Sequence, residues 1–271
     1  MTESIGEANR AADLPVIEAG WPLPKGVRAL VTTRSGGVSE GAYGLHGGAV
    51  GGLNLGLRCG DDTDRVLANR ARLRTILPAE PLWLNQVHGS AVVDSDASAI
   101  LDGKASQEPM ADAAVSATPG RVLAVLCADC LPLLLSDEQG TCVGVAHAGW
   151  RGLASGVVES TVAALRRLSS AQVELVAWLG PAIGPESFEV GADVLEAFQA
   201  DDPGSVSCFY PGARPGKWQA DLFELARRRL RATGIRLIGG GGQSTVSLPG
   251  HYYSHRRDRI SGRQAALIWI A

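Results

Sequence analysis

The chain of 271 residues predicts an α/β fold with mixed β-sheets, built as a single domain. Three observations carry this. Strand-like apolar runs follow one another directly as well as alternating with helical stretches, which a strict β-α-β order does not do. No G-x-G-x-x-G follows a strand and no G-x-x-x-x-G-K-[ST] occurs, so the nucleotide loops of doubly wound folds are missing. No linker-like segment divides the middle of the chain. The expected organisation is a polar tail over residues 1–25 and one domain over 26–271.

The elements follow in order. "GVRALVTTR" (26–34) is a β-rich run closed by a Gly-Gly turn. "DDTDRVLANRARLRTIL" (61–77) opens on acidic N-cap residues and carries a helical apolar stripe. "PLWLNQVHGSAVV" (81–93) reads as strand, break, strand, with His88-Gly89 at the break. "DAAVS" (112–116) and "RVLAVLCAD" (121–129) are strands; the second is apolar on both faces and is expected to be central. "LPLLLSD" and "TCVGVAHAG" form two more strands around a turn at 137–140. An amphipathic helix over 152–168 follows Arg151, and "VELVAWLGPAIGP" (173–185) is a buried strand ending in a Gly/Pro loop. Helices are expected over 192–200 and 218–234, the latter capped by Gly234, with strands at "IRLIGG" and "QAALIWIA". The glycine run 47–52 reads as a flexible connector.

Bulk chemistry narrows the function classes. A hydrophobic fraction of 45% with 20% charged residues implies an ordinary packed core. A net charge of −3 gives no global attraction to nucleic acid or to an anionic membrane. No apolar run is long enough to span a bilayer, and "MTESIGEANRAADLP" lacks the features of a secretory signal, so a cytoplasmic location is expected. Five cysteines in such a chain favour free thiols, a metal site or catalysis over disulfides.

The chemistry concentrates in "CADCLPLLL" (127–135) and "VAHAGWRG" (145–152), with His88 in "NQVHG". Cys130 and His147 fall at the ends of strands that can pair as a hairpin. If His88 converges on them, two imidazoles and one thiolate leave a fourth metal position open, the pattern of catalytic zinc. The same residues also suit a metal-free Cys–His nucleophilic pair. The C-x-x-C of Cys127 and Cys130 lacks the second pair of a zinc knuckle and does not open a helix as a redox dithiol does, so Cys127 reads as a core thiol. The zinc deaminase signature is absent, since the histidine follows the cysteines and no His-x-Glu accompanies it. Asp129, beside Cys130, is a candidate proton carrier or a strand-end cap. Arg34, Arg151 at a helix start, and Arg256 with Arg257 are candidate anion-binding groups, although most arginines are surface ion-pair partners.

At these residues the chain resembles the laccase-domain family, whose bacterial members carry the labels polyphenol oxidase, peptidoglycan editing factor and purine nucleoside phosphorylase. The matching stretches include "TTRSGGVSEGAYG", "LNLGLRCGDD", "WLNQVHGS", "ADCLPLLL", "VAHAGWRGLASGVVE", "WLGPAIGPESFEVG" and "SGRQAALIW", and they cover roughly residues 27 to 271. The resemblance implies mixed sheets sandwiched by helices, with His88, Cys130 and His147 as ligands of zinc, or of copper under the laccase label. It implies phosphorolysis of adenosine, inosine, guanosine and methylthioadenosine with purine nucleosides and phosphate as partners, adenosine deamination as a second reaction, and Arg34 and Asn54 in pocket-lining motifs. A monomer or a homodimer would suit it. A copper phenol oxidase and a Cys–His hydrolase editing peptidoglycan are the competing activities; only five histidines are available for a multicopper site. Three departures stand out: an insertion within residues 43–56 near Asn54, Ser244-Thr245 where the family commonly has Cys-Thr, and His255 where it commonly has an aromatic residue.

Overall fold

The computed structural model describes residues 14–20, 24–96, 108–169 and 173–271. Its strands form three sheets. The four-stranded sheet has the order β1 (Val16–Glu18), β2 (Val27–Thr32), β14 (Gln264–Ile270), β6 (Leu123–Cys127). The six-stranded sheet runs β13 (Leu237–Gly240), β9 (Leu175–Leu179), β7 (Leu131–Asp137), β8 (Val143–Ala148), β5 (Ala113–Ser116), β4 (Val92–Asp94). It is mixed: β4–β5 and β9–β13 pair in parallel, and the other pairs are antiparallel. A small third sheet joins β10 (Glu189–Val190), β12 (Trp218–Ala220) and β11 (Phe209–Pro211).

Strand periodicity builds the layers. Along β14, Ala266, Ile268 and Ile270 point to one core and Ala265, Leu267 and Trp269 to another. The first set meets Leu134, Val143, Val145 and Trp178, so the two larger sheets pack face to face. The second set packs with Leu73 of helix α1 (Thr63–Arg74). The outer face of the six-stranded sheet, through Leu133, Leu135 and Ala146, is covered by α3 (Val157–Leu168) and α5 (Leu222–Ala232). The result is helix, sheet, sheet, helices, as expected of mixed sheets sandwiched by helices. Each fully buried Leu, Ile or Val in these layers stabilises the fold by about 1.5–3 kcal/mol relative to exposure.

Several expectations change. The segment read as tail contributes β1, whose Val16 and Ile17 pair with Thr32 and Val31. β6 is an edge strand of its sheet rather than a central one. It is buried because the opposite sheet covers one face and residues 82–86 cover its edge: Gln86 brackets the backbone of Leu126, donating at 2.8 Å and accepting at 2.7 Å. The strand expected before His88 is therefore only isolated bridges at Leu82 and Asn85. The helix expected over 152–168 is two, α2 (Trp150–Ala154) and α3, broken at Gly156 with φ +88°. Residues 218–220 are strand, with the helix starting after the Asp221 N-cap. The 47–52 run is a hydrogen-bonded turn rather than a loose connector: Leu45 donates to Ala49 O at 2.8 Å and Gly51 to Ser39 O at 3.1 Å. A Cβ on Gly52 would lie 2.0 Å from Tyr43 O, so only glycine fits there. No described helix is long and apolar enough to cross a membrane.

Candidate metal centre

His147 lies near the end of β8, paired with Pro132 across the β7–β8 hairpin. Strand alternation puts it on the side of Val143 and Val145, between the sheets. Cys130 sits just before β7, after Asp129 has turned the chain with φ +89°. His88 is itself left-handed, at φ +62°. Non-glycine residues adopt that region rarely, and two of them stand beside one site.

One carboxylate fixes this geometry. Asp112, fully buried, accepts from the backbone N–H groups of Val87, His88 and Gly89 at 3.0, 2.9 and 2.8 Å. It also lies 2.8 Å from Nδ1 of His147. An ionised carboxylate only accepts, so His147 Nδ1 carries a proton and Nε2 is the ring nitrogen left to face Cys130 or, once it loses its own proton, a cation. Burial opposes ionisation of Asp112, but the His147 contact and the N–H donors outweigh it and lower its pKa.

The ligand atoms of His88, Cys130 and His147 lie within 4.8 Å of one another. Cys130 Sγ is 3.8 Å from His88 Nε2, and the imidazoles meet edge to face with centroids 4.8 Å apart. Tetrahedral zinc bonds of ~2.0–2.3 Å would set ligand atoms about 3.5 Å apart, so a small contraction seats the ion. The donor set fits a borderline-soft divalent cation. Burial alone raises the Cys130 pKa, but His147 and His88 overcome it and bring the thiol to about 6. Burial alone lowers that of His147, and the facing thiolate with Asp112 raises it to about 9. Without a metal, Cys130 and His147 thus face each other as thiolate and imidazolium, and a bound cation would take the place of the imidazolium proton. Glycine makes room for them: a Cβ on Gly149 would stand 2.9 Å from Cys130 Sγ and 3.0 Å from His88 Cδ2.

The trio opens onto a cavity of about 490 Å³. Arg58, Arg151, Arg263, Asn85, Cys59 and His255 line it with the three ligands. Among the described residues the Arg151 side chain makes no hydrogen bond, its guanidinium resting 4.5 Å over the Trp150 ring. Arg58 is paired with Glu108, and Arg263 donates to Ser261 O at 2.7 Å and Gly262 O at 2.9 Å.

The other expected residues lie elsewhere. Arg34 does not line this cavity; it is buried, donating to Gly44 O at 3.0 Å and Pro249 O at 2.9 Å and stacked over Tyr253. Asn54 stands behind the wall, accepting from Arg263 N at 2.8 Å and donating to Asp61 at 2.9 Å. The Arg256 guanidinium turns to Ser187 O and Glu189 O at 3.1 and 3.2 Å. The Asp129 carboxylate accepts from Thr245 Oγ1 and Arg256 N, both at 2.6 Å, so it ties loops together and is not free as a proton carrier. Arg151 is the second residue of α2 rather than its opening residue. Cys127 is core, 1% exposed between the sheets, its pKa pushed up by burial.

Sequence reasoning missed Asp112, Arg58, Arg263 and Asn85. Asp112 had a signal: an acid opening the apolar run "DAAVS" must find donors once buried.

A family model described as multi-copper polyphenol oxidoreductase laccase matches residues 28–271. A purine nucleoside phosphorylase of Pseudomonas aeruginosa is 47% identical over 250 residues, covering 92% of this chain and 96% of its own. The purine nucleoside phosphorylase YfiH of Escherichia coli strain K12 is 45% identical over 252 residues, with coverage of 92% and 96%. The crystal structure of a Neisseria meningitidis protein superposes with a TM-score of 0.83 at 42% identity, covering 94% of this chain and 98% of that one. YlmD of Geobacillus stearothermophilus gives 0.84 at 30% identity, with 98% coverage of each.

Proposed function

The chain belongs to the multi-copper polyphenol oxidoreductase laccase family, and from that premise we propose that it phosphorolyses purine nucleosides at a mononuclear zinc site formed by His88, Cys130 and His147. The observation that carries this is the meeting of two imidazoles and one thiolate on the wall of a cavity that also presents three guanidinium groups. Phosphate needs cations and the nucleoside needs a concave surface with polar groups; one cavity offers both. The relatives named purine nucleoside phosphorylase support the same reading.

In this mechanism Arg151 and the Arg58 and Arg263 side chains hold phosphate beside C1′ of the ribose. Asn54 acts through Arg263, whose backbone it fixes. Asp112 orients the His147 ring and fixes the backbone at His88. When bound, the metal supplies a Lewis acid that polarises a substrate oxygen or nitrogen. Adenosine, inosine, guanosine and methylthioadenosine are the substrates we assign, with adenosine deamination as a second reaction.

The family description also names polyphenol oxidation. Among the described residues one group of His, Cys, Asp or Glu side chains could hold a metal ion, and it contains two imidazoles. A multicopper centre needs many more imidazoles, so we place oxidation behind phosphorolysis.

The test supplies each nucleoside, with and without phosphate, to zinc-loaded protein and to a Cys130→Ala variant. Phosphorolysis releases ribose 1-phosphate and free base; deamination releases inosine without phosphate. Chelation abolishes both and zinc restores them, whereas a metal-free Cys–His hydrolase would survive chelation. Absence of ribose 1-phosphate from every nucleoside defeats the proposal.

A further inference from the structure

Breaking the C1′–N9 bond leaves an electron pair on the purine, and the departing base needs a proton at N7. The cavity's other groups are either committed elsewhere or unable to give up a proton. His147 Nδ1 is held by Asp112, and His88 and Cys130 face each other across 3.8 Å. Asp129 is engaged by Thr245 and Arg256. The Cys59 thiol donates to Gly56 O at 3.0 Å. Guanidinium groups keep their protons, and the amide of Asn85 can donate a hydrogen bond but does not transfer its proton.

His255 remains. It lines the cavity together with Cys130 and Arg263, is exposed to it, and its ring makes no hydrogen bond among the described residues. Its position is nonetheless fixed. It opens the short helix α6 (His255–Asp258), where Ser254 Oγ accepts from Arg257 N at 3.2 Å. Asp129, the residue before Cys130, accepts from Arg256 N. The carboxylate that is unavailable as a proton carrier thus fastens the His255 turn to the loop bearing the thiolate ligand. Imidazole is the side chain suited to gain and lose a proton near neutrality.

We infer that His255 is the general acid that protonates the leaving purine, an inference that rests on the phosphorolysis proposed above. In the step, a phosphate oxygen forms a bond to C1′ as C1′–N9 breaks. The bond's electron pair goes to the base, and the His255 imidazolium gives a ring N–H proton to N7. The proton that HPO4²⁻ releases on forming the ester restores the imidazolium, so nucleoside and HPO4²⁻ yield neutral base and ribose 1-phosphate.

The test compares inosine with 7-methylinosine, whose alkylated N7 lets the base leave without a proton. Wild type, His255→Gln and His255→Phe are assayed for kcat/KM on both, with zinc content and melting temperature measured in parallel. We expect both variants to lose ~100-fold or more on inosine and to stay near wild type on 7-methylinosine, with zinc retained. Equal losses on the two substrates, or no loss on inosine, overturn the role of His255 while leaving phosphorolysis standing. A wild type that releases ribose 1-phosphate from neither substrate overturns the phosphorolysis reading, and the general acid with it.

Discussion

Asp112 Oδ1 lies 2.8 Å from His147 Nδ1 and 2.9 Å from the backbone nitrogen of His88, so a single buried oxygen orients two of the three convergent ligands. Outer partners of this kind typically change metal affinity by ~10–100-fold. Asp112→Asn keeps the shape but replaces an acceptor with a donor toward a ring N–H or the 87–89 backbone. We expect zinc affinity to fall by about that factor, read by competition with a chromophoric chelator. Unchanged affinity would mean that Asp112 only builds the loop.

Gly149 tests the crowding of the same centre. Gly149→Ala places a methyl 2.9 Å from Cys130 Sγ and 3.0 Å from His88 Cδ2, closer than such contacts normally come. Overpacking of this kind costs about 1–3 kcal/mol. The expected result is a lowered melting temperature in the zinc-loaded form together with loss of stoichiometric zinc. Full zinc occupancy in the variant, measured by elemental analysis, would contradict the packing.

The metal-free protein should show its thiolate by reactivity. The imidazoles lower the Cys130 pKa to about 6, so the thiolate persists as pH falls and is lost only through that value. Alkylation of chelated protein, followed at the Cys130 peptide, should therefore proceed with a pH midpoint near 6, and zinc should protect. A midpoint near 8.5, the ordinary thiol value, would refute the pairing. Because His147 is raised to about 9, thiolate and imidazolium coexist between about 6 and 9, and their mutual stabilisation fades outside that window on either side.

The layers were legible because their signals are local, whereas the convergence of His88 on Cys130 and His147 was implied only by the family resemblance. Alternation along "LPLLLSD" and "QAALIWIA" specifies strands, and Asp62 and Asp221 cap the helices they precede. Distance hid the rest. Gln86 covering the edge of β6, or Asp112 reaching Val87 and Gly89, are contacts between residues 23 to 40 apart that no periodicity encodes. The arginines misled for the same reason: Arg34 and Arg151 look alike in sequence, yet one lies among carbonyls and the other at the cavity.

The two cysteines of "CADC" should separate cleanly. Cys127 lies with Val125, Leu134 and Val145 in the core between the sheets and does not line the cavity. Cys127→Ala removes a small buried side chain and should cost roughly 1–2 kcal/mol with zinc stoichiometry and kcat unchanged. Cys130→Ala should abolish zinc binding. Loss of zinc in the Cys127 variant, by elemental analysis, would reinstate a dithiol site.

Arg34 and Arg151 make the corresponding pair among the cations. Arg34 is 3% exposed, and its donors satisfy the carbonyls of Gly44 and Pro249 while its plane lies over Tyr253. Truncating it leaves those acceptors unpaired in the interior, at ~1–3 kcal/mol. Arg151 has no such partners among the described residues and lies at the cavity, where phosphate would supply the missing acceptors. A charge-assisted hydrogen bond contributes about 1.5–3 kcal/mol, or roughly 10–100-fold in affinity. Arg34→Ala should therefore lower the melting temperature with little change in KM for phosphate, and Arg151→Ala should raise that KM by the stated factor with the melting temperature held. Steady-state kinetics over a phosphate series at saturating inosine, beside thermal denaturation, separates the two. The reverse assignment, a phosphate defect in Arg34→Ala alone, would move the anion site out of the cavity.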